Sequence, residues 1–466
     1  MADAIRFESR MSDSDALMWN IEKDPLLRST IAVVWLLESA PDHARLEAKI
    51  ERATRTIPRL RQHVVSNPAS IAPPRWEADP SFDLRYHLRW LRAPGAGELR
   101  DVLDFASPVV MAGFDRARPL WELYVLEGMS AGRAALVLKL HHSLSDGVGL
   151  VRMTEAMVER RAEPGRDPGP LPPLADAVPM TQGERFLDAL GHEWRRQLGR
   201  AQRSLRATRA NLLGLVRDPA ALARETTESA ASIARMLRPV SEPLSPIMRA
   251  RSLSLRLDTL ALSTEKLRAA AKLVDGKLND AFVAGVAGGL RLYHEAHGAI
   301  PESLRMTMPI NVRDDATAKL AGNQFAPARF PVPIGIVDPL ERMRAIRNLV
   351  AEQRAEPALG LIADVSGVLN RLPASVTTSL FGSMLKGVDF VTSNVPGPRF
   401  DVYLSGARLE SVFGFGPLTG AALNVTLFSY TDRSHLGISS DPAAIPDPDL
   451  LVACLRKGFD EVLAGV

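Results

Sequence analysis

Two adjacent histidines, His141 and His142, stand at the end of an apolar segment that begins at Ala134. Imidazole is the side chain whose ordinary pKa best suits proton transfer near neutral pH, so either histidine could serve as a general base. Asp146 and Gly147 follow in a turn, where a carboxylate can orient the base and a glycine lets another group approach closely. The segment therefore predicts a site at which a histidine removes a proton from a substrate hydroxyl.

The two imidazoles are expected to have different surroundings. Successive side chains of a β-strand point to opposite faces of the sheet. If the strand continues through His142, one ring faces a cavity while the other anchors the strand. The pair therefore does not readily chelate one metal ion.

Other interpretations of this segment remain open. Both histidines could be hydrogen-bonded structural residues, although their position at a strand end before Asp-Gly makes this less favoured. A zinc site needs a further ligand, and the remaining histidines do not offer the spacing of two His four residues apart on a helix. A Ser-His-Asp hydrolase is not favoured, because no Gly-x-Ser-x-Gly elbow accompanies the histidines.

Composition and charge exclude several classes of protein. The 466-residue chain carries 57 basic and 54 acidic side chains, and this small basic excess is dispersed, so nucleic-acid binding is not indicated. Cys454 is the only cysteine, which rules out an intramolecular disulfide and a cysteine metal site and predicts a reducing, cytoplasmic compartment. The sequence shows no hydrophobic leader and no apolar run near the ~20 residues of a membrane span, so an integral membrane protein is not expected.

Strand and helix patterns alternate in two regions of comparable size, which predicts mixed α/β lobes at residues 1–161 and 251–466. Residues 162–250, between them, combine a proline-rich linker with a long helical segment. The predicted strands are 30–37, 121–126, 134–140, 252–257, 304–312, 390–395 and 422–430. The predicted helices are 46–57, 148–158, 184–217, 265–273, 279–293, 340–355 and 448–463.

The helical segment at residues 184–217 has an apolar stripe that includes Leu187, Leu190, Trp194 and Leu198, with arginines on its other faces. A basic amphipathic helix with a tryptophan is typical of contact with a membrane surface. A helix packed on the protein with its arginines in solvent has the same pattern. We favour this second interpretation, because arginine is common on solvated helix faces.

The segment His-His-Ser-Leu-Ser-Asp-Gly at residues 141–147 resembles the His-His-x-x-x-Asp-Gly signature of the bacterial wax ester synthase/acyl-CoA:diacylglycerol acyltransferases. Other segments follow in the family's order and cover about residues 11–161 and 251–466. They are Met-Ser-Asp-Ser-Asp-Ala-Leu at 11–17, Pro-Arg-Leu-Arg at 58–61, Phe-Asp-Leu-Arg-Tyr-His at 82–87, Arg-Pro-Leu-Trp-Glu at 118–122, Asn-Asp at 279–280, Gly-Asn at 322–323, Asn-Val-Pro-Gly-Pro at 394–398 and Asn-Val-Thr-Leu-Phe-Ser-Tyr at 424–430.

This resemblance implies a two-lobed fold of the CoA-dependent acyltransferase type, similar to chloramphenicol acetyltransferase and condensation domains, with the active site in a tunnel between the lobes. By motif match, His142 is the general base and His141 supports it. Asp146 in such folds is structural and pairs with an arginine, for which Arg313 is the candidate. Gly147 completes the motif.

Five further residues are candidates for substrate binding. Ser393 and Asn394 could donate hydrogen bonds to the oxyanion of the reaction. Trp121 is expected to pack in the core or to shape the acceptor pocket. Asn279 and Asp280 open a glycine-rich helix, where a capping role is favoured. The small residues that follow them would allow either close helix packing or room for an acyl chain.

The implied reaction is transfer of a long-chain acyl group from acyl-CoA to diacylglycerol, giving triacylglycerol, or to a long-chain alcohol, giving a wax ester. Acyl-CoA is a substrate, and neither a cofactor nor a metal is expected. Such apolar substrates make peripheral association with a membrane or lipid-droplet surface reasonable. The alternatives are the same fold acting on another lipid alcohol or a carrier-bound acceptor, and a catalytically silent lipid-binding homologue.

Overall fold

The computed structural model describes residues 7–66, 72–144, 154–165, 169–174, 178–217, 240, 242–311, 325–356, 366–367, 369–370 and 374–466. Its helices are α1 (Asp13–Ile21), α2 (His43–Thr56), α3 (Leu84–His87), α4 (Leu99–Met111), α5 (Gln182–Arg217), α6 (Thr264–Lys272), α7 (Leu278–Ala296), α8 (Pro339–Arg354), α9 (Ala374–Lys386) and α10 (Pro448–Leu463). Its strands are β1 (Thr30–Leu37), β2 (Gln62–Val65), β3 (Arg75–Ala78), β4 (Leu88–Arg92), β5 (Trp121–Glu127), β6 (Ala134–His141), β7 (Arg256–Ser263), β8 (Ser303–Asn311), β9 (Phe325–Pro333), β10 (Phe390–Pro396), β11 (Tyr403–Leu404), β12 (Ala407–Phe415), β13 (Leu423–Tyr430) and β14 (Arg433–Ser440).

A six-stranded sheet with the order β11-β12-β1-β6-β5-β4 forms the first lobe. Its central strands β1 and β6 run antiparallel and place Thr30 opposite His141. All eight residues of each of these two strands are buried, which explains why both read as continuous apolar runs in the sequence. The sheet therefore holds the end of β6, and with it the two histidines, on a rigid element.

A second six-stranded sheet has the order β7-β14-β13-β10-β8-β9 and forms the other lobe. Strand β10 is parallel to both of its neighbours, β13 and β8, while the outer pairs are antiparallel. Each lobe thus mixes parallel and antiparallel pairing with helices, which confirms the predicted two-lobed α/β fold.

The first sheet includes two strands from the C-terminal part of the chain. Strand β12 pairs antiparallel with β1 and places Phe415 opposite Ala32, and β11 pairs with β12 at the edge. Residues 403–415 therefore lie in the first sheet, although they belong to the segment 251–466 that the sequence predicts as the second lobe. This crossing brings β12 between the two halves of the molecule.

Close packing of two helices stabilises the second lobe. A Cβ atom added at Gly289 of α7 would lie 2.5 Å from the Cα atom of Leu455 in α10, and one at Gly458 would lie 2.2 Å from the Gly289 nitrogen. Because no side chain fits there, the glycines let the two backbones approach closely. Of the two uses expected for the small residues of this segment, the structure shows helix packing.

Most predicted elements are confirmed within a few residues, but two differ. The strand predicted at 252–257 begins only at Arg256, because the N–H and hydroxyl of Ser252 both donate to the Asp441 carboxylate and hold the chain away from the sheet. The helix predicted at 148–158 does not extend to its predicted end, since residues 155–157 form a turn. Its residues 148–153 lie outside the described part of the chain.

The predicted long helix is present as α5, but its orientation differs from the interpretation that we favoured. Its charged residues Arg185 and Asp188 contact the protein, whereas Leu187 and Trp194 are exposed. In the described side chains of this helix, the apolar stripe therefore meets solvent together with Arg195, while Arg185, Asp188 and Arg196 contact the first lobe. Among the helices of the described ranges, none is both long enough and apolar enough to cross a membrane.

Candidate active site

A cavity of about 550 Å³ lies between the two sheets. Strands of both lobes and the helices α1 and α9 form its wall, and most of the lining side chains are apolar. Lining residues include Leu17, Met18, Ile21, Ile31, Val33, Phe381, Met384, Leu385, Val391, Val395 and Phe428. A concave apolar site of this size with a few polar groups is typical of small-molecule binding and suits an alkyl chain.

His142 lies on the wall of this cavity. Strand β6 ends at His141, and residues His142–Leu144 form a single 3-10 turn. The backbone N–H of His142 donates to the carbonyl oxygen of Ser29 at 2.8 Å, which fixes the turn against the start of β1. The structure therefore places His142 at the cavity, as the sequence predicts, even though the strand does not continue through it.

His141 is buried and anchored instead of facing the cavity. Its Nε2 lies 2.8 Å from the Oε1 atom of Glu22, and its Nδ1 accepts from the N–H of Ser143 at 3.1 Å. Nδ1 also lies 2.6 Å from the Ser143 hydroxyl, so both ring nitrogens have polar partners. The rings of Trp19 and Phe114 lie edge-on to the imidazole, at centroid distances of 5.4 and 6.1 Å. These contacts hold His141 in one orientation.

The Glu22 carboxylate connects both histidines to the first sheet. Its Oε1 also accepts from the backbone N–H of Ser29 at 2.6 Å, the residue whose carbonyl receives the His142 N–H. Burial alone would raise the pKa of Glu22, but the interaction with His141 and the Ser29 N–H outweigh it, so the pKa lies below its usual range. Glu22 has no local signal in the sequence, because its contact with His141 joins residues 119 positions apart.

Three predicted site residues, Asp146, Gly147 and Arg313, lie outside the described residues. The proposed pairing of Asp146 with Arg313 therefore stays a prediction.

Ser393 and Asn394 occupy opposite faces of strand β10. Ser393 lines the cavity together with Val391 and Val395, whereas Asn394 is exposed and is not part of the lining. The alternation of side chains along a strand accounts for this separation. Of the two predicted oxyanion donors, the structure brings only Ser393 to the cavity that His142 lines.

Asn424 and Thr426 on β13 add polar groups to the cavity wall. The Asn424 amide donates to the carbonyl of Pro417 at 2.9 Å and accepts from the Thr426 hydroxyl at 3.0 Å. A Cβ at Gly416 would lie 2.5 Å from the Asn424 amide nitrogen, so only glycine leaves room for this amide. The sequence analysis noted this segment as a motif but assigned no role to either residue.

Trp121 does not line this cavity, and its assignment as a substrate-binding residue stays a prediction. The indole is buried, donates from Nε1 to the carbonyl of Leu60 at 2.8 Å, and stacks on His87 at a centroid distance of 4.6 Å. Of the two roles expected from the sequence, the structure shows packing in the core of the first lobe, because its ring is already held by these neighbours.

Asn279 and Asp280 lie at the start of α7 and do not line the cavity either. The Asp280 carboxylate accepts from the backbone N–H of Lys277 at 2.7 Å, and the Asn279 amide lies 3.5 Å from the sulfur of Met308. The structure therefore shows the capping contact that was favoured, while the assignment of the pair to substrate binding stays a prediction.

One match to Gly-x-Ser-x-Gly does occur in the chain, at Gly128–Gly132, away from the two histidines. The structure places it in the connection between the antiparallel strands β5 and β6, where the Ser130 hydroxyl accepts from Arg133 at 2.9 Å. A nucleophile elbow requires a strand followed by a helix, so this serine is a turn residue. In the described ranges, no cluster of three or more His, Cys, Asp or Glu side chains could hold a metal ion.

The sequence of this chain is similar to known families and proteins over nearly its full length. Residues 11–282 match the wax ester synthase/diacylglycerol acyltransferase catalytic domain, and residues 321–462 match the WS/DGAT C-terminal domain. Two proteins of Mycobacterium tuberculosis H37Rv, both named provisionally as diacylglycerol O-acyltransferases, are 35% and 30% identical to it. These alignments each cover 98% of this chain, and 92% and 97% of the respective relatives.

Two solved structures have a similar fold. The wax ester synthase/diacylglycerol acyltransferase from Marinobacter aquaeolei VT8 superposes with a TM-score of 0.64 at 22% identity, over 98% of this chain and 99% of that one. The first condensation domain of the calcium-dependent antibiotic synthetase superposes with a TM-score of 0.61 at 17% identity, over 97% and 96% of the two chains. At these identities the structural matches support the two-lobed fold alone.

Proposed function

Since the chain belongs to the wax ester synthase/diacylglycerol acyltransferase family, whose members are acyl-CoA-dependent O-acyltransferases, we propose that it transfers a long-chain acyl group from acyl-CoA to diacylglycerol or a long-chain alcohol, with His142 as the general base. The observation that carries this proposal is the position of His142 on the wall of an apolar cavity between the lobes. The acyl-CoA would be a substrate, so the reaction needs no further cofactor.

The proposed reaction needs a base because the alcohol, rather than the thioester, is the unreactive partner. His142 would take the proton of the hydroxyl as its oxygen attacks the thioester carbonyl carbon. The resulting tetrahedral intermediate would then break its C–S bond, and the imidazolium would return the proton to the departing thiolate of CoA. Such an acid–base cycle contributes roughly 10²–10⁴ to the rate, and no covalent acyl-enzyme is required.

The developing oxyanion of that intermediate would need a hydrogen-bond donor inside the cavity. The Ser393 hydroxyl is our candidate, because β10 turns this side chain toward the same cavity that His142 lines. The apolar lining from α1 and α9 would accommodate the hydrocarbon chains of the two substrates. A cavity formed by both lobes would keep water from hydrolysing the thioester.

Both proposed substrates are amphiphilic, so we propose that the protein works in the cytoplasm in peripheral contact with a membrane or lipid droplet. This placement agrees with an acceptor that is dissolved in lipid rather than in water.

The decisive experiment uses the purified full chain with labelled palmitoyl-CoA and either diacylglycerol or hexadecanol. We expect wild type to form labelled triacylglycerol or wax ester, and His142→Ala to lose roughly 10²–10⁴ in rate. His43→Ala is the matched control, because its ring is exposed and stacks on Trp90 instead of lining the cavity. Wild-type turnover by His142→Ala would reject His142 as the general base. If neither diacylglycerol nor hexadecanol caused release of CoA, both proposed alcohols would be rejected.

A further inference from the structure

Helix α5 attaches to the first lobe through its charged side chains. Among the ion pairs, Arg185 lies 2.9 Å from Glu77, and Asp188 lies 2.7 Å from Arg75. The side chains of the lobe that pair with α5 are all less than one-third exposed, so these contacts are shielded from solvent. The pairs join Arg185 to Glu77, Asp188 to Arg10 and Arg75, and Arg196 to Asp13.

The apolar side chains of the same helix point away from the protein. Leu187 and Trp194 are 68% and 67% exposed, and Leu190 and Leu198 are 43% and 48% exposed. Their spacing of three, four and four residues places all four on one stripe, which we call the outward face. A helix packed on a protein in water normally buries such a stripe and exposes its charges.

The two faces lie on opposite sides of the helix. At 3.6 residues per turn, Arg185, Asp188 and Arg196 fall within one narrow sector, and the centre of the outward face lies about half a turn away. Over residues 185–198, the polarity of α5 is therefore inverted relative to an ordinary surface helix. An apolar stripe that includes a tryptophan and faces solvent indicates a surface made to contact something apolar.

The charge of the helix identifies the class of partner. From Arg195 to Arg217 the helix sequence contains seven arginines and no acidic residue. The helix sequence also contains leucines at positions 205, 212 and 215. Arg195 is exposed beside the outward face, and arginine stems at such a position reach toward the level of anionic headgroups.

We propose that the outward face of α5, formed by Leu187, Leu190, Trp194 and Leu198, docks the protein on an anionic lipid surface. Helix α5 would then contact the lipid with its outward face, while ion pairs on its polar side attach it to the first lobe. This inference deepens the proposed function, on which it rests for the nature of the substrates, by naming the surface through which the enzyme meets them.

The docked helix would lie next to the substrate cavity. Arg196 of α5 pairs with Asp13 at the start of α1, and α1 contributes Leu17, Met18 and Ile21 to the cavity wall. A lipid surface against the outward face then lies one helix diameter, roughly 10 Å, from α1, which borders the cavity. A water-insoluble acceptor would then have a short path from the lipid to the cavity.

The test measures co-sedimentation of the full chain with phosphatidylcholine vesicles, with and without phosphatidylglycerol. We expect wild type to bind the vesicles that contain phosphatidylglycerol, and to bind them less at high salt. The outward-face variant combines four substitutions, Leu187→Ser, Leu190→Ser, Trp194→Ser and Leu198→Ser. It should bind these vesicles at least about tenfold more weakly than wild type does. The matched control is Ile300→Ser with Val337→Ser, which removes exposed apolar side chains elsewhere, at 73% and 65% exposure, and should bind as wild type does.

Acyl transfer to a short, water-soluble alcohol separates this inference from the proposed function. The outward-face variant should keep wild-type turnover in that assay, which also shows that it folds. If wild type bound the vesicles but transferred no acyl group, the proposed function would be rejected and the docking surface would stand. Equal vesicle binding by wild type and variant would overturn the docking surface. A dimer of wild type that becomes a monomer in the variant, with no vesicle binding by either, would assign the face to a second copy of this chain and overturn it as well.

Discussion

The Nε2 atom of His141 lies 2.8 Å from the Glu22 carboxylate, and the same carboxylate oxygen receives the backbone N–H of Ser29. Ser29 in turn accepts the N–H of His142 through its carbonyl. One partly buried acid therefore fixes the orientation of the first histidine and the backbone position of the second. This arrangement explains why two adjacent histidines occur together although only His142 lines the cavity.

Removing the Glu22 carboxylate should therefore impair catalysis without removing a reacting group. We expect Glu22→Ala to lower kcat by up to about a hundredfold, because small misplacements of a catalytic group have large effects on rate. The KM for acyl-CoA should change little, since Glu22 does not line the cavity. Glu22→Gln, which keeps an oxygen acceptor, should retain more activity than Glu22→Ala. Steady-state kinetics of both variants measure the separate effects on kcat and on the KM for acyl-CoA.

The same pair of variants also reports on folding. Glu22→Ala leaves buried N–H donors at His141 and Ser29 without their acceptor, at a cost of about 1–3 kcal/mol each. Glu38→Gln is the surface control, because its carboxylate is 42% exposed and pairs with Arg408. A Glu22→Ala enzyme with unchanged kcat would show that the carboxylate has no positioning role.

Neighbouring residues of β10 provide a second test with an internal control. Ser393→Ala removes a hydroxyl at the cavity, and if this group stabilises the oxyanion, kcat should fall about 10²–10³-fold. Asn394→Ala truncates an exposed side chain on the other face, so its rate should stay within about twofold of wild type. Parallel measurements of kcat check both. A greater loss of kcat in Asn394→Ala than in Ser393→Ala would reverse the assignment of the oxyanion donor.

The elements that could be predicted from sequence are those with a strong local pattern. Strand β1 and helix α10 occur at the predicted residues, because a continuous apolar run and a period of 3.6 each encode one conformation. The pairing of β12 with β1 has no local signal, since it joins Ala32 to Phe415 across most of the chain. Sequence patterns therefore predicted which segments are strands but not which sheet receives them.

The candidate site divides in the same way. The motif that contains His142 is contiguous, so its residues could be found in the sequence together. Glu22, Asn424 and Thr426 reach the site through tertiary packing, and glutamate, asparagine and threonine are too common for their types alone to identify them. The inverted polarity of α5 was also beyond prediction, because the helical pattern shows a stripe but not the side on which the lobe lies.

Packing of α7 on α10 predicts that Gly289→Ala is destabilising. A Cβ there would lie 2.5 Å from the backbone Cα of Leu455, and the helices must separate to admit it. Overpacking of this kind costs roughly 1–3 kcal/mol, against a gain of about 1 kcal/mol from the higher helix propensity of alanine. Gly191→Ala in α5 is the control, because nothing lies within 4 Å of the added atom. Urea unfolding should show a lower midpoint for Gly289→Ala only.

His435 predicts how stability depends on pH. This imidazole on β14 is only 2% exposed, and burial, together with the nearby charge of Arg433, lowers its pKa to about 4. The unfolded state binds its proton near the ordinary histidine pKa of about 6.5, so between these two values it holds more protons than the native state. The contribution of neutral His435 to stability is therefore intact above pH ~6.5 and is lost as the pH falls toward about 4.

Replacing His435 with glutamine removes this titration while leaving a polar side chain of similar size. The free energy of unfolding of wild type should fall relative to His435→Gln by on the order of 3 kcal/mol between neutral pH and pH ~4, as a depression of about 2.5 pKa units requires. His43→Gln is the control, because its ring is 55% exposed on the surface. Denaturant titrations across this pH range measure the difference. Parallel curves for wild type and His435→Gln would mean that His435 has the same pKa in the native and unfolded states, and would contradict its burial as a neutral ring.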